Sequence, residues 1–191
     1  MKITLHKAEH FITKPWSGGT TTQLFIYPET ASYQQLNFDF RISTARVDVA
    51  TSVFTPLVGV SRKLLVLEGK MTLHHEGYHS AKVGKLDVDI FEGGWKTTSE
   101  GKCVDFNVMM REGVEGDVYG KVVEKGHSLQ LFGSSVSFCF VFLHQGQGIV
   151  SSNQQSIHFS AHDFISVHDY KGEALVFLPE ERCEIVMVEI Q

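Results

Sequence analysis

Leu64-Leu65-Val66-Leu67-Glu68-Gly69-Lys70-Met71-Thr72-Leu73 returns in altered form as Phe140-Val141-Phe142-Leu143-His144-Gln145-Gly146-Gln147-Gly148-Ile149-Val150. In both stretches a short apolar run meets a glycine, and a second run with strand character follows. A polar turn region and another strand-like segment come next, Leu86 to Phe91 in the first copy and Phe164 to Val167 in the second. Each copy then closes on a long apolar strand, Cys103–Met110 and Cys183–Ile190. The offset from Gly69 to Gly146 nearly equals that from Cys103 to Cys183. Such a period is too long for a solenoid repeat. It fits a small all-β barrel built twice, and the mouth of a barrel is a natural ligand site.

The rest of the chain keeps the same period. Phe38–Ser43, Leu86–Phe91 and Ser135–Phe140 alternate apolar and polar residues, the pattern of half-buried strands. Few windows place apolar residues at helical spacing. Gln34–Leu36 and Val47–Ser52 read as short turns or single helical turns. Glycines at 69, 77, 84, 93, 94 and 101 punctuate the chain as in an all-β sandwich or barrel. The polar stretch Glu112-Gly113-Val114-Glu115-Gly116-Asp117 divides the copies into residues 1–113 and 114–191. It is short, so the two barrels are expected to pack as one compact unit.

Composition narrows the function. The chain has 191 residues, 42% of them hydrophobic, and a net charge of −5. A mildly acidic chain is a poor match for nucleic acid or an anionic membrane, both of which select a basic face. No apolar run approaches the ~20 residues of a spanning helix. The first residues lack a signal-peptide core, so a cytoplasmic location is expected. Cys103, Cys139 and Cys183 form no CxxC pair and sit in apolar runs, as small buried residues of a reducing compartment.

Three groups of residues bear on chemistry. The first is histidine, with ten copies. A metal-binding cupin barrel carries His-x-His and a Glu, then a later His. Here His74 and His75 are adjacent and point to opposite faces of a strand. His75 and His79 converge only through a turn. The reading is therefore no metal and no cofactor. A divalent-metal enzyme, an isomerase or dioxygenase using His74 or His75 with His79, is the rival.

The second group is polar. Asp39, Arg41 and Ser43 share one strand face, and Asp105, Asn107, Met109 and Arg111 share another. Such faces either meet solvent or line a cavity. If they line a cavity, Arg41, Ser43, Asp105 and Asn107, with Arg62 as a second cation, make a site for a small carboxylate or amide. The third group is the Trp16-Ser17-Gly18-Gly19 turn before Thr20-Thr21-Thr22-Gln23. It is either an ordinary turn with Trp16 as a plug, or a loop closing the barrel mouth with Gln23 pointing in. It lacks the phosphate-loop pattern. No G-x-S-x-G elbow is present, and no catalytic residue is assigned.

The ordered series Trp16 with its Gly-Thr turn, Phe40-Arg41-Ile42-Ser43-Thr44-Ala45, Phe54-Thr55-Pro56, Arg62, Leu67-Glu68-Gly69, Phe91-Glu92-Gly93 and Asp105–Arg111 resembles the HutD/Ves family of bacterial proteins. The resemblance covers residues 10 to 111 well and the second half more weakly. It implies a bicupin fold, two jelly-roll-type barrels in one chain. It further implies a ligand-sensing or regulatory role linked to histidine utilisation, or to cold and stress response, rather than catalysis. Carried over by position, the family pocket falls on Gln23 (often Glu in relatives), Arg41, Ser43, Arg62, Asp105 and Asn107. Relatives tend to have Trp-Lys/Arg-Asn before the glycines; here Trp16-Ser17-Gly18-Gly19 is shorter and lacks the Asn.

The expectation is thus an all-β bicupin whose first barrel binds a small polar or carboxylate metabolite through Trp16, Gln23, Arg41, Ser43, Arg62, Asp105 and Asn107. A regulatory scaffold with a vestigial pocket is a further alternative. Barrels of this kind often dimerise through sheet faces, so a homodimer stays open. The closing strand of the second half, Glu184–Glu189, does not repeat the Asp-x-Asn arrangement, which leaves that half as support.

Overall fold

The computed structural model describes residues 1–133, 136–153 and 155–191. Ser135, at the start of one alternating run, lies outside the described residues. The chain divides into two compact units, Phe11–Glu115, and Met1–His10 together with Gly116–Gln191. Among the described residues there is no α-helix, only a 3-10 turn at Ala8–His10. No helix is long and apolar enough to cross a membrane.

The chain opens with β1 (Lys2–His6). The unit Phe11–Glu115 then holds β2 (Thr13–Trp16), β3 (Gly19–Tyr27), β4 (Phe40–Val47), β5 (Thr51–Val53), β6 (Val60–Gly69), β7 (Met71–His75), β8 (Ser80–Val83), β9 (Val88–Glu92), β10 (Thr97–Glu100) and β11 (Cys103–Arg111). The other unit adds β12 (Gly116–Val123), β13 (Leu129–Gln130), β14 (Val136–Gln145), β15 (Gln147–Ser151), β16 (Ser156–Ser160), β17 (Phe164–Tyr170), β18 (Val176–Pro179) and β19 (Cys183–Ile190). Gln34–Leu36 forms a turn, and Val49–Ala50 a bend between β4 and β5.

The doubled sequence pattern is a doubled topology. In the first unit the sheets run β2-β3-β4-β11-β6-β9 and β5-β10-β7-β8; in the second they run β1-β17-β14-β19-β12 and β13-β18-β15-β16. Eight strands in each, β4 to β11 and β12 to β19, follow one order, the two-sheet jelly roll. Among the described residues no pairing joins the two sheets of a unit into a continuous barrel. Each unit is an open sandwich.

Gly69 ends β6 and Gly146 directly follows the equivalent β14, and each turns the chain to the facing sheet. Both have left-handed backbone, φ +76° and +91°, and a Cβ at Gly69 would stand 2.6 Å from the Lys102 carbonyl oxygen. Glycine fits such positions because it lacks that atom.

The sequence division gives residues 1–113 to the first copy. The strand pairing gives the first ten residues to the other unit instead, because β1 lies antiparallel against β17, with Leu5 opposite Ile165. Asp163, almost wholly buried, fixes this segment: it accepts from Lys7 Nζ at 2.8 Å and from the Ala8 amide at 3.0 Å.

The two interiors differ in chemistry. Residues equally far before Gly69 and Gly146 match Arg62 to Cys139, Leu64 to Val141 and Val66 to Leu143. Counting from Cys103 and Cys183 matches Asp105 to Ile185 and Asn107 to Met187. Every second-unit member of these pairs belongs to one apolar core, with Phe159, Phe177 and Tyr170. In the first unit the apolar core, Leu64, Val66, Met71, Leu73 and Phe91 among it, covers only part of the interior. A second apolar cluster, Phe38, Leu57, Val60 and Met109, fills another part, and a buried polar patch is left beside them.

Candidate functional site

Strand periodicity and register set the polar patch. Arg41 and Ser43 alternate with Phe40 and Ile42 on β4, and Asp105 and Asn107 alternate with Phe106 and Val108 on β11. Antiparallel pairing lines up Arg41, Met109 and Arg62 in one row across three strands, and Ser43 with Asn107 in the next. A register shift between Val104 and Asp105 adjusts the β11–β6 pairing below them. These polar side chains do not meet solvent. Arg41, Ser43, Arg62, Asp105 and Asn107 are all buried.

They border a cavity of about 280 Å³. Its polar wall is Arg41, Ser43, Arg62, Asp105 and Asn107, and its apolar wall includes Trp16, Tyr33, Val53, Phe54 and Met109. Trp16 is 36% exposed and stands at the outer margin. The Gly18-Gly19 turn holds it there. A Cβ on Gly18 would enter the indole ring, and one on Gly19 would strike the Arg46 carbonyl oxygen. Of the seven residues expected from sequence, six line this cavity. Gln23 does not. It is exposed, and its Oε1 accepts from Arg41 Nε at 2.9 Å.

The two guanidiniums are held differently. Arg41 donates to Gln23 and, through Nη1, to Ser43 Oγ at 2.9 Å, and its Cζ stands 4.6 Å from the Tyr33 ring centre. Arg62 lies between rings, with Cζ 4.8 Å from Phe54 and 5.2 Å from Phe91. Cation–π contact holds a charged group there without consuming its N–H donors. Sequence reasoning does not find Tyr33, Phe54 and Phe91, because aromatic residues carry no mark separating core filling from cation support.

Burial dominates the electrostatics. It lowers both arginines, Arg62 to about 10, with the Asp105 charge opposing that fall. It raises Asp105 from 3.8 to about 7, against the pull of Arg62. At neutral pH the cavity therefore holds two cations and a carboxyl that is only partly ionised. Among the described residues, Arg62 Nε, Asp105 Oδ1 and Asn107 Oδ1 are buried without a hydrogen-bond partner. Leaving such an atom unmet costs ~1–3 kcal/mol, so each is a point where water or a bound molecule gains a hydrogen bond.

A second cluster lies in the same unit. His75 on β7 pairs across the strands with Thr97 on β10, and its Nδ1 is 2.8 Å from Thr97 Oγ1. Its Nε2 reaches Asp89 Oδ2 on β9 at 2.8 Å, and His79 Nε2 reaches Asp89 Oδ1 at 3.0 Å. A tight turn, closed by the Tyr78 amide on the His75 carbonyl oxygen at 3.0 Å, brings His79 round to His75. His74 points elsewhere, towards Ser80 Oγ at 3.0 Å. The three cysteines are buried, and burial pushes Cys103 up to about 12, which leaves a protonated, unreactive thiol.

The sequence pattern of the HutD family matches residues 8–186. Among curated protein sequences no relative matches significantly. Among solved structures the chain is similar to the conserved protein of unknown function PA5104 from Pseudomonas aeruginosa PAO1, with TM-score 0.86, 22% identity and full coverage of both chains. HutD from Pseudomonas fluorescens SBW25 superposes with TM-score 0.73 at 19% identity, again over both whole chains. The bacterial pirin YhhW from Escherichia coli, solved with nickel(II), gives TM-score 0.73 at 11% identity over 98% of each chain. At these identities the structural likenesses establish the cupin-type fold alone.

Proposed function

The chain belongs to the HutD family, and we propose that it is a non-catalytic binding protein whose first unit takes a small carboxylate metabolite. One observation carries this reading: two buried guanidiniums face a cavity lined by a single carboxyl, Asp105, whose pKa burial raises. Arg binds carboxylate in a fixed fork, and its strength grows in a dry site. The free atoms refine the ligand. Arg62 Nε offers a donor to a carboxylate oxygen, while Asn107 Oδ1 and Asp105 Oδ1 call for an N–H or O–H. The aromatic wall suits a flat or apolar body between these ends. The volume is below the roughly 300–1,000 Å³ of drug-sized sites, in keeping with a metabolite. Intermediates of histidine degradation such as urocanate and formylglutamate combine these features, and sensing of such a metabolite in the cytoplasm is part of the proposal.

Among the structural relatives, YhhW holds nickel(II) and a Bacillus subtilis oxalate decarboxylase has Mn(II) centres. The donor set of this cavity does not fit such an ion, since Arg41 and Arg62 would repel it and Asp105 alone offers a carboxylate.

Thermal-shift measurements with urocanate, formylglutamate and formate test the proposal. The two larger acids are expected to raise the melting temperature more than formate, which lacks the second group. Arg41→Ala is expected to remove the shift. If no acid stabilises the protein, or Arg41→Ala retains the full shift, the assignment fails.

A further inference from the structure

We propose that His75, His79 and Asp89 form a binding site for a divalent first-row transition-metal ion, separate from the guanidinium cavity. The three ligand atoms lie within 4.8 Å of one another. Two imidazoles and a carboxylate suit zinc, cobalt, nickel or iron(II) rather than calcium or magnesium. Bonds of about 2.0–2.1 Å put any two ligand atoms no more than about 4.2 Å apart. A separation at that 4.8 Å limit therefore has to shorten by about 0.6 Å or more when an ion enters, and to roughly 3.4 Å in a tetrahedral site. His79 makes that movement: its side chain is 41% exposed on the β7–β8 turn, while His75 and Asp89 are buried and fixed.

The surroundings are built for the exchange. A metal-bound His75 must carry its proton on Nδ1, facing Thr97 Oγ1. The Thr97 hydroxyl accepts that proton while donating to the Trp95 carbonyl oxygen, 3.4 Å away. The Nε2 lone pair can thus bind the ion, with any displaced proton released to water, and no buried atom is orphaned. Aromatic rings dry the inner side, with Phe91 4.4 Å and Trp95 5.6 Å from the His75 ring. The exposed side at His79 leaves coordination positions for water or an exogenous ligand. Because β7 and β9 lie in different sheets of the sandwich, the ion also ties the sheets together at this end.

The chain has two tryptophans, and Trp95 lies 5.8 Å from the His79 ring. In a Trp16→Phe background, cobalt(II) added to chelator-treated protein is expected to quench Trp95 emission and develop visible absorption at one equivalent per chain. Zinc should reverse both signals. His79→Ala, an exposed substitution that leaves the core intact, is expected to weaken cobalt binding at least about tenfold. His74→Ala, on the opposite strand face, should leave it within about twofold. No stoichiometric uptake of cobalt or zinc, or equal affinity in His79→Ala, overturns the proposal.

Discussion

Asp105→Asn isolates the electrical cost of the cavity. In the fold Asp105 ionises at about 7 against an ordinary 3.8, with burial as the leading cause. Between those values the folded chain holds a proton that the unfolded chain has released. Unfolding there releases a proton, so stability falls as pH rises. The stabilisation is complete below about 4 and lost above about 7. Three pH units at about 1.4 kcal/mol each give about 4 kcal/mol, an order-of-magnitude figure undiminished by solvent because the carboxyl is buried. Asparagine keeps the shape and cannot ionise. The attraction of Arg62 for the ionised carboxylate is already contained in the value of about 7, and Arg62 itself stays protonated to about 10, so it adds no further pH dependence over this range. Urea unfolding of both proteins at intervals from pH 4 to 8 reads the gap directly. Wild type is expected to lose about 4 kcal/mol relative to Asp105→Asn across that span. Curves that stay parallel within about 1 kcal/mol would refute the burial argument.

Three other perturbations have definite outcomes. Gly69→Ala adds a Cβ 2.6 Å from a backbone carbonyl at φ +76°, whereas Gly77→Ala at φ +80° meets open space; both lose about 1 kcal/mol to strain, and Gly69→Ala should lose at least twice that in a urea titration. Tyr170→Phe removes the hydroxyl that faces the Phe132 carbonyl at 2.9 Å and the Glu173 carbonyl at 2.7 Å; a loss of about 1–3 kcal/mol is expected by the same assay. Asp163→Ala releases Lys7 and Ala8; hydrogen exchange of residues 2–6 should accelerate well before that of β19.

Alternation made the strand faces readable in the sequence. Arg41 with Ser43 and Asp105 with Asn107 sit two apart on their strands, so a shared face followed from backbone geometry alone. That those faces turn inward did not follow, because a polar stripe reads the same against solvent or against a cavity. Gln23 shows the limit in the other direction: it reaches Arg41, yet stays exposed. Asp89 carried no signal either. Next to Asp87 in the sequence it looks like an ordinary surface acid, and only the packing of one sheet on the other brings β9 to the His75–His79 turn. The doubled jelly roll was visible in the repeat of Gly69 and Gly146. The place of β1 was not, since no local pattern tells an edge strand which sheet it joins.

That first strand has a consequence for synthesis on the ribosome. His6 and its partner Ser166 are 160 residues apart. At roughly 5–20 residues per second the opening strand waits on the order of 10–30 s for β17 to emerge. The intervening jelly roll, Phe11–Glu115, has all its own strands by then. Throughout that interval Ile3 and Leu5, which end up packed on the last core, travel on an unpaired strand open to pairing with any neighbouring chain. The nascent protein is thus open to wrong association at β1 for as long as β17 is missing, and a chaperone that protects it has its task at that strand.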